Sequence, residues 1–216
     1  ADGSEGDMCG NGIRCFAAFA IKCGFVDKDK NPIFVETKSG IKSVLPITTE
    51  NIITAAKVNM GKPIFKPEEI PVNINSKLER IVDYPLPVGL ETFDITCVSM
   101  GNPHAISFIS TPVDSVDLVE VGPLVENHAF FPDRVNFEIV NVINKSYVKA
   151  RVWERGSGIT MACGTGACAI ACAGIYKGIL NQHIEVELPG GTLQIEWSGN
   201  DDDDVIMTGP VTEVFE

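Results

Sequence analysis

Two stretches decide how this chain reads. They are Cys9-Gly10-Asn11-Gly12-Ile13-Arg14-Cys15-Phe16-Ala17 and Cys163-Gly164-Thr165-Gly166-Ala167-Cys168-Ala169-Ile170-Ala171. They stand 154 residues apart and repeat one another, cysteine on cysteine, with Gly10 and Gly12 on Gly164 and Gly166. The match runs on through Ala17 and Ala171, Ile21 and Ile175, Gly24 and Gly178. After each CGxG turn the apolar positions fall at helical spacing: Ile13, Phe16, Ala17, Ala20 and Ile21, then Ala167, Ile170, Ala171, Gly174 and Ile175. Both segments are apolar almost all round, which predicts helices buried centrally rather than laid on a surface. Gly24 and Gly178 are suited to close their C termini.

The repeat extends into strands. Residues 33–36 lead through Lys38-Ser39-Gly40 into 41–45, and 184–187 lead through Pro189-Gly190-Gly191 into 192–197. Each pair reads as a hairpin on a glycine turn. A third strand follows each, at 56–60 before Gly61 and at 205–208 before Gly209. Between the halves Pro67, Pro71, Pro85 and Pro87 punctuate strand-like runs, clearest at 95–99, 105–109 and 147–153. Each half is thus a helix followed by strands able to wrap it.

Composition narrows the function. With 44% hydrophobic and 21% charged residues over 216 positions, the chain has ample material for a core. A net charge of −12 repels phosphate backbones and anionic lipid, which argues against nucleic-acid and membrane partners. No apolar stretch approaches the roughly 18 residues of a membrane span, and no basic-then-apolar leader is present. Seven cysteines, an odd number without a CxxC pair, and three scattered histidines give no metal spacing. A reduced, cytoplasmic protein fits best. Asp201 to Asp204 reads as a solvated hairpin tip. The chain opens at Ala1 without an initiator methionine, and we expect it to lack an N-terminal segment.

The chemistry starts from Cys9 and Cys163, each placed before a glycine-rich helix start. Free N–H groups and the positive end of the helix favour thiolate, and are expected to lower both pKa values below about 8.5. Each turn is also a carboxylate-binding nest. Pseudo-two-fold symmetry can bring both helix ends to one cleft, with one thiol on each face of a ligand. Inverting a carbon centre needs a base on one face and an acid on the other, and two thiols supply the pair. The repeat therefore suggests a racemase or epimerase. Cys15, Cys23, Cys97, Cys168 and Cys172, in apolar surroundings, read instead as small packed hydrophobes.

At these residues the chain resembles the diaminopimelate epimerase family. Residues 1–5 with Met8-Cys9-Gly10-Asn11-Gly12-Ile13-Arg14-Cys15 resemble its first cysteine motif, and 156–158 with Thr160 and Ala162-Cys163-Gly164-Thr165-Gly166-Ala167-Cys168 its second. Ser99-Met100-Gly101-Asn102-Pro103-His104, Trp153-Glu154-Arg155-Gly156, Glu187-Leu188-Pro189-Gly190-Gly191 and Met207-Thr208-Gly209-Pro210 also match. The resemblance implies interconversion of LL- and meso-diaminopimelate, in lysine and peptidoglycan precursor synthesis, by a cytoplasmic homodimer. It implies no pyridoxal phosphate or other cofactor and no metal.

By the same resemblance Cys9 and Cys163 are the acid/base thiols, and the amides of Gly10, Asn11, Gly164 and Thr165 hold the reacting carboxylate. Asn102 and Asn136 contact the amino-acid groups, and Arg155 suits the distal carboxylate. Glu154 suits an ammonium group and, with His104, assists the thiols. The implied fold class is α+β: two pseudo-symmetric lobes, each a sheet or open barrel wrapped around a central buried helix, the first incomplete. Residues 1–60 with 210–216 form the remnant of the first lobe, and 61–209 form the second.

Family members carry, before the position of Ala1, strands with a Gly-Asn-Asp-Phe motif and a further asparagine, both contacting substrate. A chain of these residues alone is therefore expected to have an incomplete pocket and no activity. Phe215 stands where many members have a tyrosine at the dimer contact.

Alternatives remain at this point. A proline or hydroxyproline racemase would share the fold and both cysteines, and a phenazine-type isomerase of the same fold would lack the thiol pair. A thiol hydrolase would need a histidine partner for its cysteine. A non-catalytic small-ligand binding module would tolerate loss of both thiols. Asn102 before Pro103 also suits an ordinary turn, His104 a packed histidine, and Glu154 with Arg155 a solvated strand end.

Overall fold

The computed structural model describes residues 9–27, 30–38, 40–50, 52–74 and 77–212. The opening run of the first motif, residues 1–8, and Phe215 lie outside them, as does Ser39 of the first expected hairpin turn. Among the described residues the fold is α+β, with twelve strands and few helices. Helix α1 spans Gly10–Lys22 and helix α3 spans Gly164–Tyr176, and a shorter α2, Leu118–Glu126, lies between them in sequence. Gly24 and Gly178 take left-handed φ values of 71° and 72°. Their C-terminal caps match too: Gly24 N–H donates to the Ile21 carbonyl, Phe25 N–H to Ala20, Gly178 N–H to Ile175 and Ile179 N–H to Gly174.

After α1 come β1 (Ile33–Thr37), β2 (Gly40–Thr49) and β3 (Ile52–Gly61); after α3 come β10 (His183–Leu188), β11 (Gly191–Glu196) and β12 (Val205–Pro210). Within each trio the strands pair antiparallel in chain order, and β3 pairs antiparallel with β12. The order β1-β2-β3-β12-β11-β10 is therefore a palindrome. Ile33 stands 151 residues before Ile184, and Gly40 before Gly191. The same interval separates Lys57 from Thr208, and these two are paired directly across the β3–β12 seam. The internal repeat thus becomes a pseudo-two-fold axis running through that seam.

The sheet continues beyond β10 through β8 (Tyr147–Glu154), β7 (Asn136–Asn144), β6 (Pro103–Phe108), β5 (Glu91–Ser99) and β4 (Tyr84–Val88), with β9 (Gly158–Thr160) paired to β8. Pairings β8–β10 and β6–β7 are parallel. Strand β4, with Pro85 and Pro87, takes the outer edge, where a missing N–H does no harm. One apolar core gathers around α3 and reaches Ile13, Val44 and Val58; a second joins β4–β7 to α2 through Leu86, Ile95, Leu118, Phe137 and Ile139.

The expectation that both repeat helices are buried holds for α3 and fails for α1. Every residue from Gly164 to Gly174 is buried, because α3 packs against β5, β6, β7, β10, β11 and β12. Among the described residues helix α1 packs mainly against β1, β2 and β3, and meets α3 and β12 at its first turns. It buries Ile13, Arg14, Ala17 and Ala20 on one side and leaves Phe16 and Phe19 more than half exposed on the other. Cys15 and Cys23 are exposed for the same reason, whereas Cys97, Cys168 and Cys172 are buried as expected. The acidic tip is exposed but not merely solvated: Asp201 pairs with Arg80, Asp202 with Lys62, Asp203 with Ser198 and Asp204 with Asn59.

Candidate active site

Cys9 and Cys163 occupy equivalent places. Each is the residue before the first helical turn, with φ and ψ of −127° and 108° for Cys9 and −128° and 110° for Cys163. Each sulfur accepts a 3.3 Å hydrogen bond from the third amide of its helix, Gly12 N–H and Gly166 N–H respectively. The first two amides of each helix, on Gly10 and Asn11 and on Gly164 and Thr165, have no carbonyl one turn back to donate to. Among the described residues they have no hydrogen-bond partner, and amides so placed can bind an anion.

The two helix starts abut. A Cβ built on Gly10 would lie 3.3 Å from Gly164 Cα, and one built on Gly164 would lie 3.2 Å from Gly10 Cα. Met207 of β12 packs against both glycines. Only residues without a side chain allow this approach. Arg14, which the sequence reading passed over, fastens the first helix start. Its guanidinium is buried and donates to the Gly10 carbonyl at 3.0 Å, to Asn11 Oδ1 at 2.8 Å and to the Pro210 carbonyl at 3.3 Å.

The environments of the thiols differ. Cys9 is exposed and Cys163 is buried. Burial pushes the Cys163 thiol up to about 12, with the carboxylates of Glu154 and Glu138 adding to the shift; the Thr165 hydroxyl and Gly166 N–H oppose it. The expected lowering by the helix start is therefore reversed at Cys163, because desolvation of a thiolate outweighs two hydrogen bonds.

Around Cys163, β6, β7 and β8 bring the remaining candidates together. His104 is fully buried, with Nδ1 2.7 Å from Glu138 Oε1 and Nε2 3.0 Å from Asn102 Oδ1. Asn136 is buried beside them, donating to the Pro103 carbonyl and accepting from Arg155 N–H at 2.9 Å. Half-buried Glu154 accepts from the Thr160 hydroxyl at 2.5 Å. Arg155 is half-buried, and its Nη1 donates to the Asp133 carbonyl at 3.1 Å. The side-chain hydrogen bonds of His104 go to Asn102 and Glu138, not to a thiol.

Two carboxylates here escaped the sequence reading. Glu138 is an acid inside the buried run Asn136-Phe137-Glu138-Ile139-Val140, and that break in an apolar strand was the available signal. Glu126 of α2 accepts from Trp153 Nε1 at 2.7 Å and Gly156 N–H at 2.8 Å, and so braces the turn carrying Glu154 and Arg155 from both sides.

The fold is shared with solved structures of low sequence identity. A hydroxyproline epimerase from Agrobacterium vitis, solved with trans-4-OH-L-proline, superposes with a TM-score of 0.63 at 11% identity, over 91% of this chain and 61% of that one. A phenazine biosynthesis protein of the PhzF family from Bacillus anthracis gives 0.60 at 18% identity, over 97% of this chain and 76% of that one. At these identities the likeness is one of fold. The family model for diaminopimelate epimerase matches residues 1–66 and 96–214. The chain is 47% identical over 217 residues to the diaminopimelate epimerase of Acetivibrio thermocellus and 48% identical to that of Methanococcus maripaludis strain S2. All of this chain is covered, and 75% and 76% of those proteins. The chain belongs to the diaminopimelate epimerase family.

Proposed function

We propose that Cys9 and Cys163 are the acid and base of a cofactor-free inversion at the α carbon of diaminopimelate. As a member of its family the chain is an isomerase, interconverting the LL and meso forms without pyridoxal phosphate. One observation carries the assignment of the thiols: two cysteines with the same cap geometry stand at helix starts that touch each other through Gly10 and Gly164.

In the forward direction Cys9, as thiolate, takes the α proton from one face of the substrate. Cys163, which burial keeps protonated, gives its proton to the other face. One C–H bond breaks and another forms, the electron pair stays on carbon, and the thiols exchange protonation states. The free amides of Gly10, Asn11, Gly164 and Thr165 hold the carboxylate whose charge rises as the proton leaves. Asn102 and Asn136 hold the amino-acid groups, Arg155 the distal carboxylate and Glu154 an ammonium group, with His104 and Glu154 assisting the thiols.

The two-lobe partition, residues 1–60 with 210–216 against 61–209, belongs to the same proposal and is supported by the palindromic strand order. So do a homodimeric assembly and a cytoplasmic location. The net charge of −12 supports a small-molecule partner over nucleic acid. Among the described residues no helix is long and apolar enough to cross a membrane.

The test is an assay of the intact protein, in which the expected N-terminal segment completes the pocket, with LL-diaminopimelate and with L-proline, without added cofactor, alongside Cys9→Ala and Cys163→Ala. We expect turnover of diaminopimelate alone and a loss of about 10²–10⁴-fold in kcat for each variant, the size of an acid/base contribution. Near wild-type epimerisation by either variant overturns the two-thiol assignment.

A further inference from the structure

We propose that Glu138 is a positioning residue that orients Asn102 through His104, so that the Asn102 amide presents its NH2 group to the substrate. The inference rests on the reading of Asn102 as a substrate contact. It starts from a carboxylate that packing does not explain. Glu138 is fully buried between Phe137 and Ile139, both also fully buried, and among the described residues its Oε2 has no hydrogen-bond partner. An unpaired carboxylate oxygen in such surroundings is costly, and an apolar side chain would fill the space without that cost.

Its Oε1 has a definite task. It lies 2.7 Å from His104 Nδ1, and the other ring nitrogen lies 3.0 Å from Asn102 Oδ1. An amide oxygen only accepts, so His104 Nε2 carries a hydrogen and donates it. The Nδ1–Oε1 link then holds a single proton between two acceptors. With both ring nitrogens engaged, the imidazole cannot turn and Asn102 cannot exchange its oxygen for its NH2 group. That NH2 group faces away from the histidine and has no partner among the described residues. Asn102 is half-buried at the turn between β5 and β6, so the group is held ready as a donor. Removing Glu138 frees Nδ1 to take the proton from Nε2, and Asn102 can then turn its oxygen outward.

The relay also accounts for Gly166. A Cβ there would lie 2.8 Å from Glu138 Oε1 and 3.2 Å from Cys163 Sγ. The α3 start and the relay therefore share a space that only glycine leaves open.

Three single variants, one double variant and one spectrum test the proposal. ¹⁵N-histidine NMR of the substrate-free protein should show His104 with a hydrogen on Nε2, protected from exchange. Glu138→Ala should lose that signal and raise KM for diaminopimelate about tenfold, with kcat within about threefold, the size expected for one hydrogen bond to a charged ligand. Glu138→Gln can donate its NH2 to Nδ1, and should keep both the signal and KM within about threefold of wild type. Asn102→Ala should raise KM as Glu138→Ala does, and the two together should be less than additive. A wild-type spectrum without hydrogen on Nε2 overturns the relay even where Glu138→Ala does not fold. So does a Glu138→Ala protein with unchanged KM beside an Asn102→Ala protein with raised KM. If Asn102→Ala leaves KM unchanged, it is the substrate contact that fails, and with it the proposed purpose of the relay.

Discussion

A thiol at a helix start is pulled in two directions. The free amides favour thiolate, and the apolar surroundings favour thiol. At Cys163 the second effect wins, since α3 is enclosed by six strands and two carboxylates stand nearby. The folded pKa is about 12, and the unfolded chain titrates at the ordinary thiol value. Below that ordinary value both states hold the proton and the stabilisation is fully present. As pH rises the unfolded chain releases its proton first, so stability falls from about pH 8.5 until the folded pKa is passed. Cys97, Cys168 and Cys172 are also raised by burial and act in the same sense. We predict that unfolding free energy from urea titration declines between pH 8.5 and 10. Cys163→Ser, which does not titrate there, should show a shallower decline, with part remaining from the other three thiols. An unchanged slope in that variant would mean that Cys163 ionises as easily in the folded protein as in the unfolded chain.

The two helix starts share a sequence pattern but tolerate different substitutions, because the space around them differs. Among the described residues a Cβ on Gly12 would meet only Cys9, at 3.3 Å, within its own turn. A Cβ on Gly166 would press on the fully buried Glu138 at 2.8 Å as well as on Cys163. Gly166→Ala should therefore cost about 1–3 kcal/mol of stability, in the range for overpacking. Gly12→Ala should cost less, since alanine favours helix and offsets part of the crowding; equal losses in urea unfolding would refute the contrast. The helices themselves, their glycine caps and both hairpins were legible, because apolar spacing and turn residues are local signals. The exposure of α1 was not legible in its own residues, since its all-round apolarity matches that of α3; only the resemblance, which implies an incomplete first lobe, separates the enclosed helix from the half-covered one. Strand β7 escaped because Glu138 interrupts its apolar run, and α2 because Gly122 and Pro123 imitate a turn. Gly122 is in fact needed where α2 rests on the Trp153 ring, the nearest atoms to any Cβ it might carry. Amide hydrogen exchange on this 216-residue chain should register the difference between the repeat helices. The middle of α3 should exchange only with global unfolding, and α1 several orders of magnitude faster through local opening. Equal protection of the two would contradict the packing.

Across the whole molecule, the repeat acts through the β3–β12 seam. Antiparallel pairing of the last strand of each trio sets the trios on either side of a pseudo-two-fold axis, and that axis carries the two helix starts to one place. The sequence displayed the duplication, but not the seam, since a repeat states that two units are alike and is silent on which edges pair. The proposed chemistry rests on the seam: equivalent cysteines can approach one ligand from opposite sides only when their helix starts meet, as they do at Gly10 and Gly164. The same juxtaposition makes the pair sensitive to oxidation. Once Cβ atoms can come within about 3.5–4.5 Å, two thiols can close a disulfide, and we expect Cys9 and Cys163 to do so with no substrate between them. Cys97, Cys168 and Cys172 are buried, whereas Cys15 is exposed on α1 and Cys23 just beyond its end. We predict that mild oxidation of the substrate-free protein links Cys9 to Cys163 and abolishes epimerisation, and that thiol reductant restores it. Diaminopimelate present during oxidation should slow the linkage by standing between the sulfurs. Peptide mapping distinguishes this pair from a link through Cys15 or Cys23, and Cys15→Ser/Cys23→Ser should leave the inactivation rate unchanged. Loss of activity with Cys9 and Cys163 both recovered as free thiols would show that the seam does not bring them within bonding reach.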